Sequence, residues 1–209
     1  IMNRKGAPGR LIDASEEEKS MEVVMDICGW LLENGADRDA LVLAVGGGIT
    51  TDMVGFAASI YKRGVRFAFV PTTLLAQVDA SIGGKTGVDF DGYKNIVGSF
   101  YPPKAVIIDS DTLKTLPERQ ISNGLAEAVK MSLTSDASLF EFFENNSLVK
   151  ILSQLDYVIV GCLNVKKQVV ENKERKTNKT NQLSYKDKRL YEILPQEISE
   201  IETKIADIE

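Results

Sequence analysis

Leu41-Val42-Leu43-Ala44-Val45-Gly46-Gly47-Gly48-Ile49-Thr50-Thr51-Asp52 is an apolar run closed by three glycines and followed by polar residues suited to capping. A continuous apolar run of this length predicts a strand buried on both faces, because an exposed face would show alternating polar residues. Glycine then turns the chain, and Thr51 or Asp52 can cap a helix running to about Lys62. Gly64 ends that helix, and Val65–Val70 is a second buried strand. The unit Leu41–Val70 is therefore a strand–helix–strand crossover, expected to be parallel and right-handed.

Upstream, Glu16–Asn34 has apolar residues at helical spacing: Met21, Val24, Met25, Cys28, Leu31 and Leu32. Gly35 supplies the stop. Downstream, Pro71–Gly98 is rich in Thr, Asp, Gly and Lys without a long period, which predicts loops with short helices. Ala105–Ile108 is a third strand, bounded by Pro103 and Asp109. From about Asp111 the pattern turns helical, with Leu125, Val129 and Leu133 opening one face. Leu139–Phe143 and Leu148–Val170 continue it.

The expected class is α/β: a Rossmann-like parallel-sheet domain over 1–110 and a partial helical domain over 111–175. A linker and a coiled-coil-like helix follow over 176–209. Lys173–Arg189 reads as a basic, polar linker. In the tail, Tyr191, Leu194, Ile198, Ile201, Ile205 and Ile208 recur at alternating spacings of three and four, a heptad seam interrupted by Pro195.

Composition excludes several function classes. The chain has 209 residues, enough for one or two compact cores. It carries 25 basic and 30 acidic residues, net charge -5, which gives the core no reason to seek nucleic acid or an anionic membrane. The longest apolar runs are far shorter than the roughly 20 residues of a spanning helix. No basic segment followed by an apolar one opens the chain, so a soluble cytoplasmic protein is expected. Cys28 and Cys162 lie in apolar helical contexts and read as buried, reduced thiols. The chain contains no histidine, so no mechanism can take an imidazole base or metal ligand from it.

Three groups of residues carry chemistry. Gly46-Gly47-Gly48 lets the backbone approach a pyrophosphate at a helix N-terminus, although a tight turn alone explains three glycines equally well. The dinucleotide fingerprint G-x-G-x-x-G fails, because Thr51 occupies its last position. Ser81-Ile82-Gly83-Gly84-Lys85-Thr86 is similarly no nucleotide P-loop, since Asp79 stands where that pattern needs glycine. What remains there is a glycine-rich loop with Lys85 and, nearby, Lys94-Asn95, two cations and an amide suited to an anion. Glu127 and Lys130 share a helix face. A carboxylate there could ligate a metal, but a surface ion pair is the plainer account, and a catalytic zinc needs about three protein ligands.

These stretches together resemble the 3-dehydroquinate synthase family. The resemblance runs through Gly46–Asp52, Arg63-Gly64-Val65-Arg66-Phe67, Val70–Asp79, Gly83-Gly84-Lys85-Thr86-Gly87 and Lys94-Asn95. It continues through Thr112–Arg119 and Gly124-Leu125-Ala126-Glu127, covering roughly Asp13 to Val170. It implies an NAD- and zinc-dependent (or cobalt-dependent) lyase of the shikimate pathway to aromatic amino acids. Such an enzyme cyclises 3-deoxy-D-arabino-heptulosonate 7-phosphate to 3-dehydroquinate with release of phosphate. By the same resemblance Glu16, Lys19, Gly46, Gly47, Gly48, Ile49, Thr50, Thr51, Asp52, Thr72, Thr73, Thr112, Leu113, Lys114 and Thr115 are implied NAD contacts. Asp79, Lys85, Lys94, Asn95, Lys130 and Lys166 are implied substrate and phosphate contacts, with Lys85 and Lys94 also in the cofactor pocket. Glu127 is the implied zinc ligand.

The family's other two zinc ligands are downstream histidines, for which this chain has no counterpart. The expectation is a chain short at both ends and, by itself, catalytically silent. A non-catalytic nucleotide-binding remnant with an interacting tail is the alternative. Deoxy-inosose and valiolone synthases share the scaffold, but Val78–Thr86 favours the dehydroquinate enzyme. The expected ligand is a small sugar phosphate, and the resemblance is compatible with a homodimer. Leu183-Ser184-Tyr185-Lys186 to Glu209 is similar instead to the C-terminal coiled-coil extension of ABC-F-type ATPases, so the tail is expected to pair with another helix.

Overall fold

The computed structural model describes residues 6–180, with side chains to residue 169. The tail's heptad seam and its coiled-coil resemblance lie outside the described residues. The chain divides into two units after Lys167, and the account below concerns the described residues of the first.

Three strands form a parallel sheet in the order β1-β2-β5: β1 (Leu41–Gly46), β2 (Arg66–Pro71) and β5 (Ala105–Val106). Leu41 lies opposite Arg66 and Gly46 opposite Pro71, so β1 and β2 stay in register throughout. The expected crossover is present, with helix α2 (Gly48–Ile60) between its two strands. Helix α1 (Met21–Glu33) precedes them. Ser20 accepts from the Val23 N–H at its start, and at its end Gly35, at φ +69°, and Ala36 return their N–H groups to Leu32 and Leu31.

Three expectations about packing change. The α2 cap is Gly47, not Thr51 or Asp52, because the helix begins directly at Gly48. Its first turn buries Thr51, whose hydroxyl donates to the Gly48 carbonyl. Strand β1 is not covered on both faces: Ala44 is buried, whereas Leu41, Leu43 and Val45 remain exposed. On α1 the buried stripe is Val24, Ile27 and Leu31, while Met25 and Leu32 face outward. These residues join Met53, Phe56, Phe67, Phe69 and Val88 in one core.

The stretch expected to be loops contains an antiparallel hairpin, β3 (Lys85–Phe90) with β4 (Tyr93–Phe100). Its turn is Asp91-Gly92, both residues left-handed at φ +50° and +78°. That pair is a strong hairpin signal that the polar composition concealed. The hairpin sits on α2 through glycine contacts: a Cβ on Gly55 would come within 2.5 Å of the Thr86 methyl and 3.0 Å of the Phe69 ring.

The remaining helices are α3 (Glu118–Ser135), α4 (Ala137–Asn145), α5 (Leu148–Leu152) and α6 (Leu155–Thr180). A second core gathers Leu74, Val78, Leu113, Ala128, Met131, Leu139, Val158 and Cys162. On α3 the buried stripe is Gly124, Ala128, Met131 and Ser132; of the expected face, Leu125 is half-buried against this core while Val129 and Leu133 are exposed. Small residues won that face because the helix lies against Leu74, whose Cγ would be 2.5 Å from a Cβ on Gly124. Helix α6 also runs into the expected linker, since its Lys, Glu and Arg residues are good helix formers.

Candidate functional site

A cleft of about 590 Å³ is lined by the first turns of α2, the segment that follows β2, the hairpin and α6. Its charged and amide lining comes from four elements. Asp52 comes from α2, Asp79 from a turn of π-helix over Ala76–Ala80, Lys85 and Asn95 from the hairpin, and Lys166 from α6. The predicted Asp79, Lys85, Asn95 and Lys166 thus converge on one cavity, and Lys166 forms an ion pair with Asp79 across it.

The glycine loop borders this cleft. A Cβ on Gly48 would stand 3.2 Å from the Ala80 Cβ, and Ala80 lines the cavity. A Cβ on Gly47 would meet the Thr73 methyl at 3.0 Å. The chain therefore passes close between Thr73 and Ala80, leaving the first N–H groups of α2 without helical acceptors. Thr72 is anchored alongside, its N–H donating to the Gly46 carbonyl at 2.9 Å. These features suit a pyrophosphate: bare backbone, open donors and a positive helix end.

Other predicted residues stand elsewhere. Lys94 is exposed, ion-paired with Glu16, and held by that carboxylate above its ordinary pKa. Thr112–Thr115 form a 3-10 turn in which Leu113 is buried in the helical core, so only its backbone can meet a cofactor. Lys114 pairs with Asp111 at 2.8 Å, and that carboxylate likewise raises its pKa. Ile49 packs against the first core. Lys130 pairs with Glu127 at 2.6 Å, and its pKa is raised chiefly by that hydrogen bond, with Asp79 adding to the effect.

Lys19 is the clearest surprise. Its side chain is only 6% exposed, and its ammonium donates to Asp52 at 2.7 Å and to the Asn95 amide oxygen at 2.6 Å. Burial pushes the Asp52 carboxyl above its ordinary pKa, and the Lys19 contact opposes that shift without overcoming it.

Sequence reasoning gave no role to Gln77. It is fully buried, and its amide nitrogen reaches the carbonyls of Pro71 and Asp109 and the Thr112 hydroxyl, each at 3.1 Å. This one side chain fastens the end of β2 to the Thr112 turn. The available signal was a single amide inside an apolar segment, where a polar group must find partners.

The sequence profile described as 3-dehydroquinate synthase N-terminal matches residues 10–123, and that described as 3-dehydroquinate synthase C-terminal matches residues 124–185. The chain belongs to the 3-dehydroquinate synthase family. The 3-dehydroquinate synthase of Dictyoglomus thermophilum is 46% identical over 170 residues, spanning 80% of this chain and 48% of that protein. That of Campylobacter hominis is also 46% identical over 170 residues, covering 81% and 49%. The chain thus spans about half the length of these relatives.

Among solved structures, the 2-epi-5-epi-valiolone synthase of Streptomyces hygroscopicus subsp. jinggangensis 5008, with NAD+ and Zn2+ bound, is 38% identical with a TM-score of 0.69. The match covers 82% of this chain and 48% of that one. A 2-deoxy-scyllo-inosose synthase complexed with carbaglucose-6-phosphate, NAD+ and Co2+ is 31% identical with a TM-score of 0.68, covering 78% and 46%.

The two cofactors of these structures fit the present residues differently. The glycine loop and α2 suit a dinucleotide. A metal is not suited: the chain has no histidine, and Glu127 is engaged by Lys130. Among the described residues no three His, Cys, Asp or Glu side chains gather around a common point.

Proposed function

We propose that this chain is the dinucleotide- and phosphate-binding part of a 3-dehydroquinate synthase. The observation that carries the reading is the convergence of Asp79, Lys85, Asn95 and Lys166 on a cleft bordered by the glycine loop. The substrate class is a sugar phosphate, specifically 3-deoxy-D-arabino-heptulosonate 7-phosphate in the complete reaction. The 46% identity to dehydroquinate synthases supports this above the related cyclases, at 38% and 31%.

In this reading Gly46–Asp52, Thr72, Thr73 and the Thr112–Thr115 backbone hold NAD. NAD held there would supply a transient hydride acceptor, and oxidation of the substrate carbon would acidify the neighbouring C–H and allow phosphate to leave. Lys85 holds an anionic group as a point charge. Lys166 leaves Asp79 to meet the same anion, and the freed Asp79 accepts from substrate hydroxyls. Lys130, whose charge feels Asp79, is a further cation for the substrate in this reading, as is the exposed Lys94. No step here is routed through a metal, since among the described residues Glu127 is the one implied ligand and no three donor side chains gather.

The 209-residue chain by itself therefore binds but turns over little or not at all. Calorimetry with NAD, together with a phosphate-release assay in added zinc, tests both halves. Absence of binding at millimolar NAD, or robust zinc-dependent turnover, would each refute its half. Among the described residues no helix is long and apolar enough to cross a membrane. A cytoplasmic location, a homodimer and a tail that pairs through its heptads complete the proposal. Sedimentation with and without residues 183–209 tests the last two.

A further inference from the structure

Asn95 has a left-handed backbone, φ +55°, at the edge of the cleft. Its main-chain N–H donates to Asp89 at 2.7 Å, and the Asp89 N–H donates to the Lys19 carbonyl at 3.0 Å. Its side-chain oxygen accepts from the Lys19 ammonium at 2.6 Å. An ammonium has donors only, so it selects the oxygen of the amide and excludes the flipped orientation. The Asn95 Nδ2 has no hydrogen-bond partner among the described residues. Asp52 neutralises the Lys19 charge, so Lys19 itself offers the cleft little net attraction.

We propose that Lys19 is a positioning residue that fixes Asn95 as a pure hydrogen-bond donor toward an anionic or hydroxyl-bearing ligand in the cleft. This rests on the cleft being a phosphate site. Specificity follows from the chemistry: a donor-only amide beside Lys85 favours phosphate, carboxylate or hydroxyl oxygen and rejects cationic groups.

The test uses the 209-residue chain, 15N labelling and inorganic phosphate. In the ligand-free protein the Asn95 side-chain amide signal, assigned by its loss in Asn95→Ala, should shift strongly in Lys19→Met. It should return toward its original position in Lys19→Arg, which also offers donors only. Phosphate affinity should fall about tenfold in Asn95→Ala and by a similar factor in Lys19→Met, and no further in the double variant. Asn95→Asp keeps a partner for Lys19 but loses the donor, and should also bind phosphate at least tenfold more weakly.

An unmoved Asn95 signal, multiplicative losses in the double variant, or undiminished phosphate binding by Asn95→Asp would overturn the proposal. If the native chain binds no phosphate, the phosphate reading of the cleft fails. The amide signal then still decides what Lys19 does. If Lys19→Met does not fold, Lys19→Arg and Asn95→Asp decide.

Discussion

Cys162 shows how a single position is governed by its surroundings. The residue lies on α6 with no exposed surface, and its thiol is pushed up to about 12, first by burial and then by Glu127, Asp136 and Asp79. Cys28 is half-buried, and burial raises it too. The thiolate is the nucleophile, so at about pH 8, near a free thiol's own pKa, the native chain should resist thiol reagents. A chromogenic disulfide should label Cys28 slowly and Cys162 not at all, with both reacting once denaturant is added. Rapid stoichiometric labelling of Cys162 in the native protein would show that its burial is wrong.

Asp52 leads to a prediction about pH. Its folded-state pKa is raised, so the folded chain holds that proton more tightly than the unfolded chain does. The linked stability is fully present below the usual aspartate value of about 4 and is lost as pH rises through the folded value. Asp52→Asn removes the titration. Urea midpoints measured across this range should therefore fall with pH more steeply in the native sequence than in the variant. Identical slopes would mean that the Lys19 contact cancels the effect of burial.

Among the elements, the hairpin is the most demanding. Gly87 and Gly98 face each other across its two strands. A Cβ on Gly98 would lie 2.1 Å from the Thr86 carbonyl oxygen and 2.8 Å from the Gly87 Cα, backbone atoms that no rotamer change can move aside. A Cβ on Gly92 would meet nothing within 4 Å, and only its positive φ opposes substitution. Gly92→Ala should therefore cost about 1 kcal/mol. Gly98→Ala should cost about 3 kcal/mol or more and should loosen Lys85 and Asn95 with the hairpin. Denaturant melts of the two variants make the comparison, and equal losses would contradict the observed pairing.

The same elements show what the sequence could reveal. The crossover was legible because an apolar run, a glycine turn and a second apolar run state their own order. The hairpin was not, because its strands mix Thr, Asp, Lys and Gly, and only Asp91-Gly92 marked it. The buried face of α3 was misread because leucine and valine are more conspicuous than Gly124 and Ala128. Close approach to Leu74 required the small residues. For the site, Asp79, Lys85 and Asn95 were singled out as residues that meet at one cleft, but the hairpin that carries two of them was read as loop. That Lys19 lies beneath Asn95 depends on a contact between residues far apart in the chain, which no local pattern encodes.

At the scale of the molecule, the dinucleotide site and the metal site separate. The dinucleotide features depend on Gly46–Gly48, Thr72 and Thr73, all within the described fold, whereas the metal would rest on Glu127, already paired with Lys130. A ligand that binds only the folded state stabilises it by RT ln(1 + [L]/Kd), or about 2.7 kcal/mol at a hundredfold excess over Kd. For a chain of this size that corresponds to a rise in Tm of roughly 5–10 °C. NAD should produce that shift at high excess, and it should persist in chelator. Zinc alone at micromolar concentration should leave Tm unchanged, and Lys130→Met should not create a zinc response, since freeing Glu127 provides one ligand where about three are needed. A zinc-dependent rise that Glu127→Gln abolishes would mean that other parts of the chain complete the donor set. A NAD shift lost on chelation would mean that the two sites are coupled after all.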